Sequence, residues 1–169
     1  RFHRHSAAGT MALPRQEQTR MPGSAHNSRN RLRIIGGEWR SRVLTFPATP
    51  GLRPTPDRVR ETLFNWLQVP VTGARCLDLF AGSGALGFEA LSRGAAHVLA
   101  LELDPASATA IGANAQALGT DKLALVQADA TQWLQHNRNG ERFDLVFLDP
   151  PYQADLYKPC LELLQAQQW

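Results

Sequence analysis

The segment from Cys76 to Ala90 limits the possible folds of this chain more than any other stretch. Its first part, Cys76 to Phe80, is apolar except for Asp78, which is typical of a parallel strand that is covered on both faces. Gly82 and Gly84 follow, and the lack of a side chain there lets the backbone turn tightly and approach a ligand. Apolar residues with helical spacing come next. The segment therefore predicts a strand, a glycine loop and a helix that together hold a nucleotide.

The glycines alone leave the nucleotide open. With Gly87, the pair Gly82 and Gly84 also matches the G-x-G-x-x-G fingerprint of dinucleotide-binding proteins. Either a dinucleotide or another adenosine-containing cofactor fits the segment at this point. The choice between them depends on residues elsewhere in the chain.

The residues after this segment repeat the alternation of strand and helix. Strands are predicted at 97–103, 123–127 and 143–148, and helices at 105–118, 131–136 and 156–168. Elements of this length in this order predict an α/β fold with a mostly parallel, doubly wound sheet.

Residues before the segment predict a smaller N-terminal unit. Two β-prone runs, Leu32 to Ile35 and Val43 to Phe46, are joined through glycines and polar residues, which indicates a hairpin. A loop rich in Pro and Gly then leads to a helix, with Thr55 as the expected N-cap residue. The helix residues expected to face the core are Val59, Leu63, Trp66 and Leu67. We therefore divide the chain into a disordered extension (1–30), the hairpin, loop and helix (31–70) and a nucleotide-binding domain (71–169).

Charge is distributed unequally along the chain. Residues 1–60 contain 12 Arg and 3 acidic residues, whereas residues 61–169 contain 6 basic and 12 acidic residues. A basic front on an acidic domain favours a nucleic-acid partner, although residues 1–29 could equally form a solvated basic tail. The residues expected to contact RNA are those of the hairpin: Arg31, Arg33, Trp39, Arg40 and Arg42. The alternative is a solvated hairpin face with the Trp39 ring packed as a cap.

Other residue types indicate a cytoplasmic protein without a metal. Cys76 and Cys160 fall in predicted buried positions and are expected to be free thiols, as in a reducing compartment. No apolar run approaches the roughly 18 residues of a membrane span. Three histidines in the extension lack partners at chelating spacing, so no metal site is expected.

Three carboxylates belong to the predicted strands or follow them. Glu102 lies 20 residues after Gly82 at a strand end, where a carboxylate can accept hydrogen bonds from both ribose hydroxyls of an adenosine. Asp129 could contact an adenine amino group or cap the next helix. Asp78 lies within an apolar strand, and because a buried carboxylate is costly unless paired, we expect it to hold loop amides or a ligand's ammonium group.

The tetrapeptide from Asp149 to Tyr152 distinguishes the candidate ligands. Its two prolines fix φ and lack amide hydrogens, so the Pro150 carbonyl and the Asp149 carboxylate are presented as acceptors at the carboxyl edge of the sheet. Tyr152 adds an aromatic face. Acceptors for an NH₂ group beside a stacking ring favour transfer of a methyl group to a base amino group. A turn without function is the alternative.

Together these motifs resemble the class I methyltransferases that use S-adenosylmethionine (SAM) and act on amino groups of bases. The resemblance rests on D-x-F-A-G-S-G at 78–84, Glu102, Asp129 and D-P-P-Y at 149–152. The N-terminal motifs, R-I-I-G-G at 33–37, L-R-P-T at 52–55 and D-R-V-R-E-T-L-F-N-W-L at 57–67, are similar to those of the RsmD family. Members of that family methylate N2 of a guanine in bacterial 16S ribosomal RNA.

The resemblance implies a Rossmann-like, SAM-dependent ribosomal RNA methyltransferase whose partner is the small ribosomal subunit, and a monomer if the chain is complete. The implied contacts to SAM come from Asp78, Phe80, Gly82 and Gly84 around the methionine, Glu102 at the ribose, Asp129 at the adenine, and Arg53 and Thr55 in the same cleft. The implied catalytic residues are Asp149, Pro150 and Tyr152.

Three other functions stay open. A DNA adenine-N6 methyltransferase would use the same D-P-P-Y, a NAD-dependent oxidoreductase would satisfy the glycine pattern, and a non-catalytic RNA-binding protein would need only the basic hairpin. The class I fold also has more sheet strands than the four predicted here, so we expect a chain that is truncated at its C-terminus.

Overall fold

A computed structural model describes residues 29–49, 52–137, 141–151 and 154–167. The expected extension, residues 1–28, lies outside the described residues, and the first strand begins at Arg29, two residues before the expected boundary. The predicted hairpin is present, with β1 (Arg29–Arg33) antiparallel to β2 (Val43–Pro47). Leu32 pairs with Leu44 in the register, and both side chains are buried. The hairpin thus turns one apolar face to the core.

The helix after the hairpin, α1 (Asp57–Trp66), differs from the prediction at both its start and its orientation. Pro56, and not Thr55, is the N-cap residue, and no side chain caps the helix. Of the four positions expected to face the core, Val59 and Trp66 are instead 52% and 78% exposed. Arg60 takes a core position because its guanidinium finds partners there, and one position rotates the helix by about 100°.

Four parallel strands form the sheet, in the order β5-β4-β3-β6. They are β3 (Arg75–Asp78), β4 (His97–Glu102), β5 (Leu123–Gln127) and β6 (Leu145–Phe147). The helices between and after them are α2 (Ala85–Ser92), α3 (Pro105–Leu118), α4 (Ala130–His136) and α5 (Tyr157–Gln167). All predicted strands and helices of this domain exist, with boundaries that differ by a few residues.

The two faces of the sheet pack into separate cores. Cys76 and Val98 belong to the face that meets the hairpin and helices α1, α2 and α3, whereas Leu77 and Leu99 belong to the face that meets α4 and α5. Side chains on a strand alternate between faces, so each strand serves both cores. Helices therefore cover both faces, as predicted for a doubly wound sheet.

The strand order reverses between β3 and β6. The chain runs from β3 outward through β4 to β5 on one side, and β6 then adds to the other side of β3. In open α/β sheets, ligands bind outside the carboxyl ends of the strands at such a point. The residues that follow β3 and β6 are therefore where a ligand site is expected.

Two side chains fix the hairpin to the sheet domain. The Asn114 side chain on α3 accepts from the Thr45 amide at 3.1 Å and donates to the Thr45 carbonyl at 2.9 Å, so it pairs with strand β2 as a neighbouring strand would. Cys76 and Cys160 are free and buried, as expected, and burial raises the pKa of the Cys76 thiol to about 12. Across the described part of the chain, no helix is long and apolar enough to cross a membrane.

Candidate active site

Gly82 and Gly84 make the turn between β3 and α2. Their φ angles are 54° and 77°, in the left-handed region that favours glycine. A Cβ on Gly84 would lie 2.7 Å from Phe88 Cε2, and one on Gly82 would lie 2.9 Å from Leu52 Cδ1. The loop therefore presents bare backbone at the edge of the sheet, with the Leu52 side chain close above it.

Asp78 is the last residue of β3 and is only 1% exposed. Neither carboxylate oxygen has a hydrogen-bond partner among the described residues. Burial raises the pKa of the Asp78 carboxyl from 3.8 to about 7; Asp149 and Glu102 add to the rise, while the amides of Phe80 and Gly87 approach without reaching hydrogen-bond geometry and lower it. Of its two expected roles, holding the loop amides is not seen. The carboxylate is suited to a cationic ligand group, because a buried charge needs a partner.

Glu102 holds the glycine loop from the end of β4. Its Oε2 accepts a hydrogen bond of 2.6 Å from the Gly82 amide, and its Oε1 accepts one of 2.8 Å from the Asp104 amide. Burial raises the pKa of the Glu102 carboxyl, and these two amides act in the opposite direction. The carboxylate thus lies at the sheet edge beside the loop, as the spacing predicts.

Asp149 and Pro150 follow β6 at the same edge. The Leu79 amide donates to the Phe147 carbonyl at 3.1 Å, which keeps the chain after β3 beside the chain after β6. Asp149 is exposed and Pro150 is buried. The predicted acceptor pair therefore lies across the switch point from the glycine loop. Tyr152, the third residue of the predicted set, lies outside the described residues.

The loop before α1 lies over this site. Thr55 Oγ1 donates a hydrogen bond of 3.0 Å to Asp149 Oδ2, which sequence patterns do not predict. Leu52 lies above Gly82, and Arg53, between these two contacts, is exposed. The L-R-P-T loop therefore connects the glycine loop with the acceptor residues.

Asp129 caps helix α4. Its Oδ1 accepts from the Gln132 amide at 2.9 Å and from Thr131 Oγ1 at 2.5 Å. The Thr131 hydroxyl, followed by the Gln132 amide, lowers the pKa of the Asp129 carboxyl. The capping role is therefore present. Because both bonds use Oδ1, contact of Oδ2 with an adenine stays a prediction.

Comparison with known proteins assigns this geometry to a family. The family model described as Conserved hypothetical protein 95 matches residues 32–169. Ribosomal RNA small subunit methyltransferase D of Escherichia coli (strain K12) is 45% identical over 144 residues, which cover 85% of this chain and 72% of that protein. The chain belongs to this family. The resemblance to the RsmD family is thereby confirmed.

Two further comparisons agree with the RsmD assignment. Ribosomal RNA small subunit methyltransferase D of Haemophilus influenzae (strain ATCC 51907 / DSM 11121 / KW20 / Rd) is 44% identical over 145 residues, covering 85% of this chain and 75% of that protein. The solved structure of the Escherichia coli protein yhhF superimposes with a TM-score of 0.76 at 42% identity, over 83% of this chain and 75% of that chain. The fold is that of the class I methyltransferases, as predicted.

The RsmD-family match begins within the hairpin, and the structure shows how the hairpin is attached. Glu89 on α2 accepts from the amides of Ile35 at 2.8 Å and Gly36 at 2.9 Å. Arg93 Nε lies 2.8 Å from Glu89 Oε1, and Arg60 Nη1 lies 3.4 Å from Oε2. Glu89 and Arg60 are both 0% exposed. The buried charges are therefore paired with each other and with the backbone.

Our sequence interpretation missed Glu89 and Arg60. Charged helix residues normally face solvent, and α1 was assigned a different inward face. One signal was available, because Glu89 is the only charged residue in α2, ALGFEALS, an otherwise apolar helix. An isolated carboxylate in such a helix indicates buried partners.

The hairpin arginines of this RsmD-family chain form an exposed basic face, as expected. Arg31, Arg33, Arg40 and Arg42 are all exposed. Trp39, by contrast, is half-buried and packs against the core, and its amide donates to Ser92 Oγ at 2.9 Å. The alternative in which Trp39 acts as a packed cap is thus the one that its surroundings favour.

Proposed function

We propose that this protein transfers a methyl group from SAM to the exocyclic N2 of a guanine in the 16S ribosomal RNA of the small subunit. One observation carries the proposal: Asp149, Asp78 and the glycine loop converge at the switch point of a class I methyltransferase fold. The relatives named ribosomal RNA small subunit methyltransferase D support the ribosomal RNA substrate. The choice of guanine N2 rests on the N-terminal motifs.

The residues around the glycine loop fit SAM. The unpartnered, buried carboxylate of Asp78 would hold the ammonium group, because it lacks a cation among the described residues. Gly82 and Gly84 would let the ligand approach the backbone, and Phe80, half-buried next to them, would line the methionine. Glu102, already oriented by two amides, would accept from the ribose hydroxyls.

The remaining proposed contacts lie farther along the same edge. Asp129 would accept from the adenine amino group through Oδ2, while Arg53 and Thr55 would line the cleft from the loop above it. Residues 31–70 would then serve as the RNA-contacting and cleft-covering unit and residues 71–169 as the SAM-binding domain.

The acceptor side of the site accounts for the chemistry. SAM, when bound, supplies a methyl group on an already electrophilic sulfonium, so no strong base is needed to begin. The amino group's lone pair is delocalised into the guanine ring. By accepting its two N–H bonds, Asp149 Oδ1 and the Pro150 carbonyl would favour a pyramidal nitrogen and stabilise its developing positive charge. Tyr152 would stack on the base, and Asp149 lies in reach of the departing proton.

The Asp149→Ala variant tests the proposal. It is expected to lower methyl transfer from labelled SAM to unmodified small subunits by about 100-fold or more, because an oriented acceptor of developing charge is lost. SAM binding, measured by calorimetry, should be largely retained. Asp121→Ala, an exposed carboxylate before β5 at the opposite edge of the sheet, is the matched control. Loss of SAM binding in Asp149→Ala would contradict this role for Asp149.

The choice of substrate distinguishes the alternatives. The same protein is offered unmodified small subunits and unmodified duplex DNA, and labelled methyl groups should appear in the ribosomal RNA only. Label in DNA adenine would instead support the adenine-N6 methyltransferase. Protection of the protein from thermal unfolding by NAD, with none by SAM, would support the oxidoreductase.

A further inference from the structure

A groove of about 410 Å³ lies between the hairpin and the loop that leads into α1. The residues that matter for its chemistry are Arg31, Arg33, Val43, Pro54, Thr55 and Pro56. They combine two guanidinium groups with an apolar wall. No part of the proposed SAM site lines this groove except Thr55.

The basic side of the groove is free to bind an anion. Arg31 and Arg33 share one face of β1, with Leu32 between them turned to the core. Arg33 Nε lies 3.5 Å from Asp57 Oδ2, and the two side chains are 68% and 50% exposed, so the pair is weak. Asp57 keeps Arg60 at 2.6 Å from its other oxygen. Arg33 can therefore exchange Asp57 for a phosphate oxygen without leaving Asp57 unpaired.

The opposite side of the groove is apolar. Val43 lies directly across from Arg33 in the hairpin register and is 44% exposed. Pro54 and Pro56 face it from the loop. A bare phosphate needs no such wall, whereas a nucleotide has both an anionic group and a flat ring to place against apolar surface.

Thr55 places the groove next to the proposed acceptor. It lines the groove, and its hydroxyl donates to Asp149 Oδ2 at 3.0 Å. Arg60 Nε donates to the Thr55 carbonyl at 3.1 Å, which holds this residue between the two sites. A strand whose target base reaches Asp149 therefore continues toward the groove.

We infer that this groove binds one nucleotide of single-stranded ribosomal RNA, adjacent in sequence to the guanine that is methylated. The phosphate lies against Arg31 and Arg33, and the base lies against Val43 and the prolines. This inference rests on the proposed function and adds the place where the neighbouring nucleotide binds.

Site-directed cross-linking tests the position. Val43→Cys introduces an accessible thiol, and since Cys76 and Cys160 are both 0% exposed, a photoactivatable group can be attached selectively. The labelled protein is irradiated with unmodified small subunits, and the cross-linked nucleotide is located by reverse transcription. We expect it next to the methylated guanine. Val69→Cys, at an 82% exposed position outside the groove, is the control and should not give this cross-link.

Kinetics test the energetic role. Arg31→Ala is expected to raise the KM for small subunits by about tenfold and to reduce the salt dependence of binding by about one phosphate contact, with kcat and SAM affinity unchanged. Lys122→Ala, an exposed cation before β5 at the opposite edge of the sheet, removes the same charge and should alter neither quantity.

The outcomes separate this inference from the proposed function. Cross-links to a ribosomal protein or to a distant nucleotide overturn the subsite, and so does an Arg31→Ala variant that behaves like Lys122→Ala. In those cases methylation by the unaltered protein still supports the proposed function. If the unaltered protein does not methylate small subunits, the proposed function fails and the subsite fails with it.

Discussion

Thr55 and Asp149 are 94 positions apart in the sequence, yet the Thr55 hydroxyl donates a hydrogen bond of 3.0 Å to the Asp149 carboxylate. The loop that carries Thr55 is itself held by Arg60, whose guanidinium donates to the Thr55 carbonyl at 3.1 Å. One oxygen of Asp149 is thus oriented by the N-terminal unit, which leaves the other for a substrate amino group. We expect Thr55 to act as a positioning residue.

Replacing Thr55 should therefore slow turnover more than it weakens binding. Thr55→Val keeps the shape but removes the hydroxyl, and with a net loss of about 1 kcal/mol, kcat should fall about fivefold to tenfold. Steady-state methyl transfer to small subunits measures this. Thr55→Ser should restore most of the rate. A Thr55→Val variant with unchanged kcat and weaker SAM binding would show a cofactor contact instead.

The stability of the ligand-free protein should fall as the pH rises because of Asp78. The pKa of this carboxyl is about 7 in the folded chain and 3.8 ordinarily, so between these values the folded state binds one more proton than the unfolded state. The contribution of Asp78 is complete below about pH 4 and is lost through about pH 7. Relative to the unaltered protein, Asp78→Asn should gain up to a few kcal/mol over this range, as measured by urea denaturation at several pH values.

SAM binding should release a proton by way of the same carboxyl. An ammonium group beside Asp78 favours the ionised form, so near pH 6 binding should release up to one proton, and above about pH 8 none. Calorimetry in two buffers with different ionisation enthalpies measures this number. Asp78→Asn should bind SAM more weakly and without proton release. Equal release by the variant would assign the proton to another group.

Burial should make Glu89 far more important for stability than an exposed pair with the same spacing. Glu89 and Arg93 form an i,i+4 pair at 2.8 Å with Glu89 fully buried, whereas Lys158 and Glu162 form one at 3.9 Å with both side chains exposed. Glu89→Ala leaves buried donors unpaired and should cost about 3–5 kcal/mol in the free energy of unfolding. Glu162→Ala should cost well under about 1 kcal/mol. Urea denaturation of both variants provides the comparison.

Two glycines with the same backbone conformation should differ sharply in their tolerance of alanine. Gly37 and Gly119 have φ angles of 76° and 70°. A Cβ on Gly37 would lie 1.8 Å from the Ser92 carbonyl oxygen, which accepts from the Glu38 amide at 2.7 Å, whereas one on Gly119 meets nothing within 4 Å. Gly119→Ala should cost about 1–2 kcal/mol for the left-handed conformation alone. Gly37→Ala should cost more, because the hairpin must shift from α2; equal melting temperatures would contradict this.

The sequence predicted most of the sheet domain because its signals are local. Asp104 caps α3 through the Ser107 amide at 2.8 Å, as the Asp-Pro pair at its start predicts, and Glu102 reaches the loop that its spacing indicates. The errors arose where tertiary contacts override local preference. Thr55 has the chemistry of an N-cap residue, but its hydroxyl binds Asp149 instead.

The glycine loop, the alternation of strand and helix and the acceptor tetrapeptide were determined by the sequence itself, because each depends on backbone preferences over a few neighbouring residues. The tertiary structure decided which face of α1 is buried, through partners of Arg60 on three different elements. It also decided that Asp78 has no partner while Glu102 holds the loop. Such pairings depend on how distant segments pack, and no local pattern encodes them.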